Sequence, residues 1–391
     1  MSSLALQGRV VTETEVWENS TVVIEGSRIR SVTRERVEAD ETRRMQGSYL
    51  VPGFVDLQLN GAFGIDIATD PVRLPQISAK LPATGTTSYL PTVVTLPLSE
   101  YPPLLSKLSL DAGIGANPLG LHLEGPFINP LKRGAHSEES VAAPDPEALE
   151  RLLDLASVRM LTTAPELSGF LALSRVAYER GILVSLGHSD SSFEEALAAL
   201  DPGSRSSSRS VTHLFNAMSP LHHRDPGLPG AALFRAEARC GIIADGRHVH
   251  PEMIRLAFER LGPERMYLVT DAMAAAGMKT GECSLAGHRV CMEDGVPRLE
   301  DGTLAGSVLT MDEALRNILD FTGCSLPEAV RMAATTPARL IGEFHKGRLA
   351  PGFDADVAVL SSELEVEAMW VGGQEVFSQE KVAGSVGKGA G

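Results

Sequence analysis

The sequence predicts an α/β protein: a (β/α)8 TIM-type barrel with a small β-sandwich domain formed by both chain ends. Three observations predict it. The middle of the chain holds eight apolar, strand-like runs, with centres roughly 30 residues apart, as βα units require. Helical patterns fall between most of them. The two chain ends are instead alternating and β-like. A barrel of this kind takes about 250 residues, and the chain has 391, which leaves room for the second unit.

Residues 1 to 50 carry the short β segments LALQGRVVT, TVVIEG and RIRSV, with turn residues between them. The barrel strands are VPGFVDLQL, TSYLPTVVT, LGLHLEG, VRMLTTAPE, GILVSLGHS, SVTHLFNAM, CGIIADG and RMYLVTDAM. Near-continuous apolar runs suit parallel strands buried on both faces. PEALERLLDLAS, SGFLALSRVAYERG and PEMIRLAFERLG space apolar residues by three and four and predict intervening helices. Eight alternating units favour a barrel over a doubly wound sheet. The helical pattern is weak between the sixth and seventh strands, and residues 277–305 read as an inserted hairpin. DADVAVLSS and EAMWVGGQEVF, near the end, resemble the opening β segments. The predicted division is therefore 1–50 and 345–391 for the small β domain and 51–344 for the barrel. The SRSSSRS stretch at 204–210 reads as a turn and the tail GSVGKGAG as a flexible end.

Apolar residues make up 43% of the chain and charged residues 22%, the balance of a soluble globular protein. The net charge of −15 argues against nucleic acid or an anionic membrane as a partner, since both need a basic face. It does not argue against a small anion, because a screening length of about 8 Å lets a local basic pocket prevail. The start MSSLALQGRV has no basic lead and no long apolar run, so no secretory signal is expected. No stretch of 18 apolar residues predicts a membrane span. Cys240, Cys283, Cys291 and Cys324 form no CxxC pair and read as reduced thiols of a cytoplasmic protein.

In a barrel of this type the chemistry sits at the C-terminal ends of the strands. Polar residues stand there after most apolar runs: Gln58 and Asn60, Glu124, His188, His213, Asp245 with His248, and Asp271. Any one of them alone also reads as a helix cap or a group facing water. Five or more in register on one rim read as a site. Glu124, His188 and His213 supply one oxygen and two imidazole nitrogens, the set of a catalytic zinc site with its fourth position open. His122 shares a strand face with Glu124 and reads as a packed histidine rather than a ligand. Asp271 closes VTDA; a carboxylate there can take a proton from a metal-bound water and return it to a leaving group, although Asp is also a favoured helix cap. The metal's share is to bring water's pKa from about 16 to about 7. There is no GxSxG elbow, P-loop or GxGxxG after a strand.

The stretches PGFVDLQLNG, GLHLEGPF with KRGAH, GHSD, THLFNAM with RDPG, IADGRHV, LVTDA and DGTLAGS span residues 51 to about 310. As a set they resemble the amidohydrolase superfamily and, within it, the N-acetylglucosamine-6-phosphate deacetylase family. That resemblance implies metal-dependent hydrolysis of an acetamide on a phosphorylated amino sugar. Under it Glu124, His188 and His213 hold the metal, and Asp271 serves as base and then acid. His136 faces the acetamide carbonyl, with Ala135 nearby, and His248 contacts a sugar hydroxyl. Asn216 and Ala217 seat the sugar phosphate, while Leu304, Ala305 and Gly306 line the sugar pocket. Arg224 pairs with the phosphate, reaching across from the neighbouring subunit of a homodimer. Physics points to the same loop: the phosphate's charge of about −1.5 to −2 needs a local cation, and His222, His223 and Arg224 follow the sixth strand.

Many members of the superfamily carry a His-x-His pair on the first strand for a second metal. Here the places hold Gln58 and Asn60, and amides are poor zinc ligands beside imidazole. One divalent metal per subunit is expected, zinc first, with Fe2+ or another divalent ion as alternatives. Two other readings stand beside this one: an amidohydrolase acting on a different amide, and a barrel that has lost catalysis. Dependence of activity on the substrate's phosphate separates the first, and metal content the second.

Overall fold

A computed structural model describes residues 2–379 apart from 112, 202–208, 279–282, 294, 295 and 300. The GSVGKGAG tail and most of the SRSSSRS stretch lie outside the described residues. The eight apolar runs form eight neighbouring strands: Phe54–Leu59, Thr86–Val94, Leu121–Glu124, Val158–Thr163, Leu183–Leu186, Ser210–Val211, Arg239–Ile242 and Met266–Leu268. Each pairs in parallel with the next. The ring closes where the chain past the eighth strand meets the first. There the Asp271 N–H donates to the Gln58 carbonyl at 2.9 Å, and the Asn60 N–H to the Ala272 carbonyl at 2.8 Å.

Helices pack outside the ring for the reasons their sequences suggest. Pro146–Leu155 starts at a proline whose missing N–H costs nothing there. Asp145 caps it by accepting from the Ala148 N–H at 3.0 Å. It buries Ala148, Leu149, Leu152 and Leu153, and each buried leucine contributes about 1.5–3 kcal/mol of transfer free energy. Phe170–Glu179 and Pro251–Leu261 fill the other two strongly periodic segments. The weakly patterned segment between the sixth and seventh strands still forms a helix, Gly227–Phe234.

Below the strand ends, the barrel interior holds a chain of buried hydroxyls. His122 Nε2 lies 2.7 Å from the Thr162 hydroxyl, which lies 2.7 Å from that of Thr212. The chain continues through Ser185 and Ser210 to the Tyr267 hydroxyl. Every member finds a partner, as buried polar groups must.

The chain ends meet in one seven-stranded sheet, in the order Gln374–Ser378, Val366–Val371, Val357–Leu360, Glu41–Pro52, Ser3–Val11, Val16–Glu25, Arg28–Thr33. It encloses its own core, including Leu6, Val22, Leu50, Val359 and Trp370. Its longest strand ends at Pro52 and passes through Gly53 into the first barrel strand. A Cβ on Gly53 would sit 2.2 Å from the Thr87 side chain, so glycine is required at this crossing.

The insertion read as a hairpin is a three-stranded antiparallel unit, Cys283–Leu285, His288–Glu293 and Val296–Arg298. Its return is stitched to the eighth strand end. The Ser307 N–H donates to the Asp271 carbonyl at 2.9 Å, and the Ser307 hydroxyl to that of Thr270 at 2.5 Å.

Candidate active site

The rim residues come together. Glu124 is the last residue of the third strand, His188 and His213 lie two residues past the fifth and sixth, and Asp271 follows the eighth. All four are at most 9% exposed. Glu124 Oε1 lies 3.2 Å from His188 Nε2 and 3.1 Å from His213 Nε2, and the two nitrogens are 3.1 Å apart. His188 Nδ1–H donates to the Lys132 carbonyl at 2.9 Å. That bond fixes the tautomer and turns the Nε2 lone pair toward Glu124 and His213. Two imidazole nitrogens and a carboxylate oxygen converging within 3.2 Å fit a divalent cation, and hardly anything else except protons.

His136 joins this cluster more closely than the sequence suggests. One donor atom each from Glu124, His136 and His188 lie within 4.8 Å of one another. His136 Nε2 is 3.8 Å from Glu124 Oε2, and its Nδ1 is held 2.6 Å from the Thr95 hydroxyl. His213 is the better third ligand on geometry, because its Nε2 stands within 3.1 Å of both Glu124 and His188.

The first strand's amides do something the sequence does not reveal. Gln58 Nε2 donates to Glu124 Oε1 at 2.7 Å and to Asp271 Oδ1 at 3.1 Å, and Asn60 Nδ2 donates to the same Asp271 oxygen at 2.7 Å. The two amides thus direct N–H groups at both carboxylates of the site. Asp56, below, is held in turn by the Thr270 hydroxyl at 2.5 Å.

Electrostatics separates the carboxylates. Burial would raise the Glu124 pKa, but the imidazoles of His188 and His213 that face it outweigh burial and hold it well below the usual carboxylate range. Burial, and then the Glu124 charge, push Asp271 up to about 6. Burial lowers His136 to about 3 and His122 to about 4, so both are neutral. Burial opposes the charge on His213, yet the Glu124 carboxylate raises its pKa overall. A strong acid beside a weak one is the pattern of a site that divides charge stabilisation from proton transfer.

A cavity of about 260 Å3 opens over these groups. Asn60, Ala135, His136, Asn216, Ala217, His248, Leu304 and Gly306 line it with the four rim residues. His248 is oriented by Asp245, whose Oδ2 lies 2.6 Å from His248 Nδ1. At Gly306, φ is +69° and a Cβ would meet the Asp271 carbonyl at 3.0 Å, so the wall needs glycine there. Gln58 lies beneath the cavity and Ala305 is buried behind its wall. Arg224 is exposed on its loop and is not among the lining residues. Among the described residues the lining contains no Lys or Arg.

Sequence reasoning passed over Thr95, Asp245 as an orienting group, and Glu166. Thr95 and Asp245 follow apolar runs, the same signal that marks the rim residues, whereas Glu166 follows only Ala-Pro. His122 has both nitrogens beside protein groups, Nδ1 at 3.1 Å from the Leu57 carbonyl and Nε2 at the Thr162 hydroxyl.

Residues 49–381 match the Amidohydrolase family. The chain is 39% identical to the N-acetylglucosamine-6-phosphate deacetylase of Homo sapiens, over 96% of this chain and 94% of the relative. It is 38% identical to the N-acetylgalactosamine-6-phosphate deacetylase of Escherichia coli O157:H7, over 83% and 87%. A solved structure of a mutant N-acetyl-D-glucosamine-6-phosphate deacetylase from Mycobacterium smegmatis, in complex with N-acetyl-D-glucosamine-6-phosphate, matches with TM-score 0.91 and 33% identity, over 97% of this chain and 100% of the other. No helix among the described residues is long and apolar enough to cross a membrane. By sequence, fold and rim, the chain belongs to the amidohydrolase family, in the branch that holds the N-acetylglucosamine-6-phosphate deacetylases.

Proposed function

We propose that this protein removes the acetyl group of N-acetylglucosamine 6-phosphate, giving glucosamine 6-phosphate and acetate. The convergence of Glu124, His188 and His213 beneath a cavity that also presents Asp271 carries this reading. These three residues would hold one divalent metal, zinc first and Fe2+ second. When bound, such a cation supplies Lewis-acid polarisation and brings water's pKa close to neutrality.

Asp271 takes a proton from the attacking water as the new C–O bond forms. It returns the proton to the nitrogen as the C–N bond breaks. Gln58 and Asn60 hold its carboxylate in place. His136 faces the acetamide carbonyl across Glu124, and His248, aligned by Asp245, meets a sugar hydroxyl. Asn216 and Ala217 seat the sugar, and the 304–306 segment closes its far side.

The phosphate needs a positive partner that the described lining of a single chain lacks. Arg224, exposed outside the cavity, supplies it from the neighbouring subunit of a homodimer.

The N-acetylgalactosamine epimer is a second reading, favoured by the near-equal identity to the Escherichia coli relative. Elemental analysis combined with amine-release assays on both 6-phosphates and on unphosphorylated N-acetylglucosamine tests the proposal. Turnover of a phosphorylated sugar, lost on chelation and restored by zinc, is expected. Equal rates before and after metal stripping would sink it.

A further inference from the structure

Glu166, three residues past the fourth strand, is a carboxylate that the proposed reaction leaves unused. It is partly buried, and both its oxygens are occupied. Oε1 accepts from the Asn129 side-chain amide at 2.8 Å and from the Asp190 backbone N–H at 2.7 Å, while Oε2 accepts from the Ser189 hydroxyl at 2.8 Å.

These donors sit at critical places. Ser189 directly follows His188. Asn129 opens the loop that carries Lys132, Ala135 and His136, and its own N–H donates to the His188 carbonyl at 2.9 Å. The Lys132 carbonyl in that loop accepts from His188 Nδ1, and Lys132 Nζ pairs with Asp190 at 3.0 Å. The backbone of Ser189 also bonds the loop after His213. Its N–H donates to the Ala217 carbonyl at 3.2 Å, and its carbonyl accepts from the Ser219 N–H at 2.9 Å. Two loops of the site therefore meet at one carboxylate, and the third is tied to them through the backbone of Ser189.

His188 has φ of +48°, a left-handed conformation that a side-chain-bearing residue adopts only when its surroundings hold it there. A carboxylate suits that task. It accepts from several donors at once, and its charge strengthens each bond.

We propose that Glu166 is a positioning residue that clamps the His188 loop to the His136 loop, and so sets the metal-facing geometry of His188 and the approach of His136. The inference rests on the metal-centre reading above.

The test uses full-length wild type, E166A, E166Q and N129A. Zinc affinity is read by competition with a chromophoric chelator, kcat and KM by amine release at saturating zinc, and melting temperature in parallel. For E166A a fall in zinc affinity of roughly 10- to 100-fold is expected, the scale on which outer partners of metal ligands act. Its kcat should fall more than its KM rises. E166Q should recover most of both losses, because its amide oxygen still accepts from Asn129 and Asp190. N129A, which cuts the tie from Glu166 to the His136 loop and with it the cap that Asn129 Oδ1 gives the Leu131 N–H, should lose kcat while keeping most of its zinc affinity.

A lower melting temperature in E166A with zinc affinity and kcat intact would overturn the clamp and leave a structural role only. If E166A does not fold, N129A decides: wild-type kcat in that variant overturns the proposal. Failure of wild type itself to bind zinc would instead overturn the metal-centre reading, which keeps the two failures apart.

Discussion

His122 and His188 are both buried imidazoles at the barrel, one in the polar layer of the interior and the other on the rim above it. In the lower layer the imidazole is spoken for: His122 faces the Leu57 carbonyl with one nitrogen and the Thr162 hydroxyl with the other. On the rim, His188 and His213 turn Nε2 toward each other and toward Glu124. The backbone differs too. His188, His213 and Asp271 have φ of +48°, +30° and +49°, a conformation that costs of order 1–3 kcal/mol each. His122 is not strained in this way. Burial alone therefore does not mark a ligand. Lone pairs with no proton to meet them do, especially on residues held in an unfavourable backbone conformation.

The largest effect that tests this contrast pairs H188A with H122A. H188A should empty the metal site and abolish turnover while the fold persists, as read by elemental analysis and circular dichroism. H122A should keep the metal and lose stability instead, by about 1–3 kcal/mol, because it leaves buried hydroxyl and carbonyl partners unmatched. Full metal occupancy in H188A, or metal loss in H122A, would reverse the assignment of the two layers.

Next in size is D271N. It removes the proton acceptor but none of the metal-facing atoms, so turnover should drop roughly 100- to 10,000-fold with metal content unchanged. Near-normal rates would show that the base lies elsewhere on the rim.

The sequence makes one half of this contrast legible. Polar residues that end apolar runs identify Glu124, His188, His213 and Asp271, because strand ends in a barrel all face one rim. The eight strands are readable for the same reason: burial on both faces leaves long apolar stretches. The other half depends on distances between residues far apart in the chain. Gln58 and Asn60 read as empty metal positions, yet the fold brings them to Glu124 and Asp271 as donors. The left-handed turns at His188, His213 and Asp271 carry no glycine or asparagine to announce them. The third strand of the 283–298 insertion is only three residues long, too short for a period to show. Glu166 follows Ala-Pro as a single acid, and only its three donors reveal its place.

Arg224 lies off the cavity of its own chain, so its effect should be narrower. R224A should raise KM for the phosphorylated sugar by an amount typical of one lost bond to a charged group, about 1.5–3 kcal/mol or roughly 10- to 150-fold. KM for the unphosphorylated sugar should hardly move. Equal shifts for both would place the phosphate elsewhere, and rescue in mixed dimers with a second inactive variant would show that the arginine acts across the interface.

The smallest expected effect is a shift along the pH axis, and it separates the two layers once more. Asp271 sits near 6 in the metal-free chain because burial, and then Glu124, disfavour its ionised form. Only the carboxylate can take a proton, so the rate must fall as pH drops through that pKa. A bound cation favours the carboxylate and moves the midpoint of kcat/KM to or below about 6. Asn60 Nδ2 favours it too, by donating to Oδ1 at 2.7 Å. Removing that bond in N60A withdraws about 1.4 kcal/mol from the charged form, which raises the midpoint by about one unit. H122A, in the layer whose groups already satisfy one another, should leave the midpoint where it is. An N60A profile that overlays wild type would mean that the amides on the first strand do not hold the base, and that their contacts to it carry no catalytic weight.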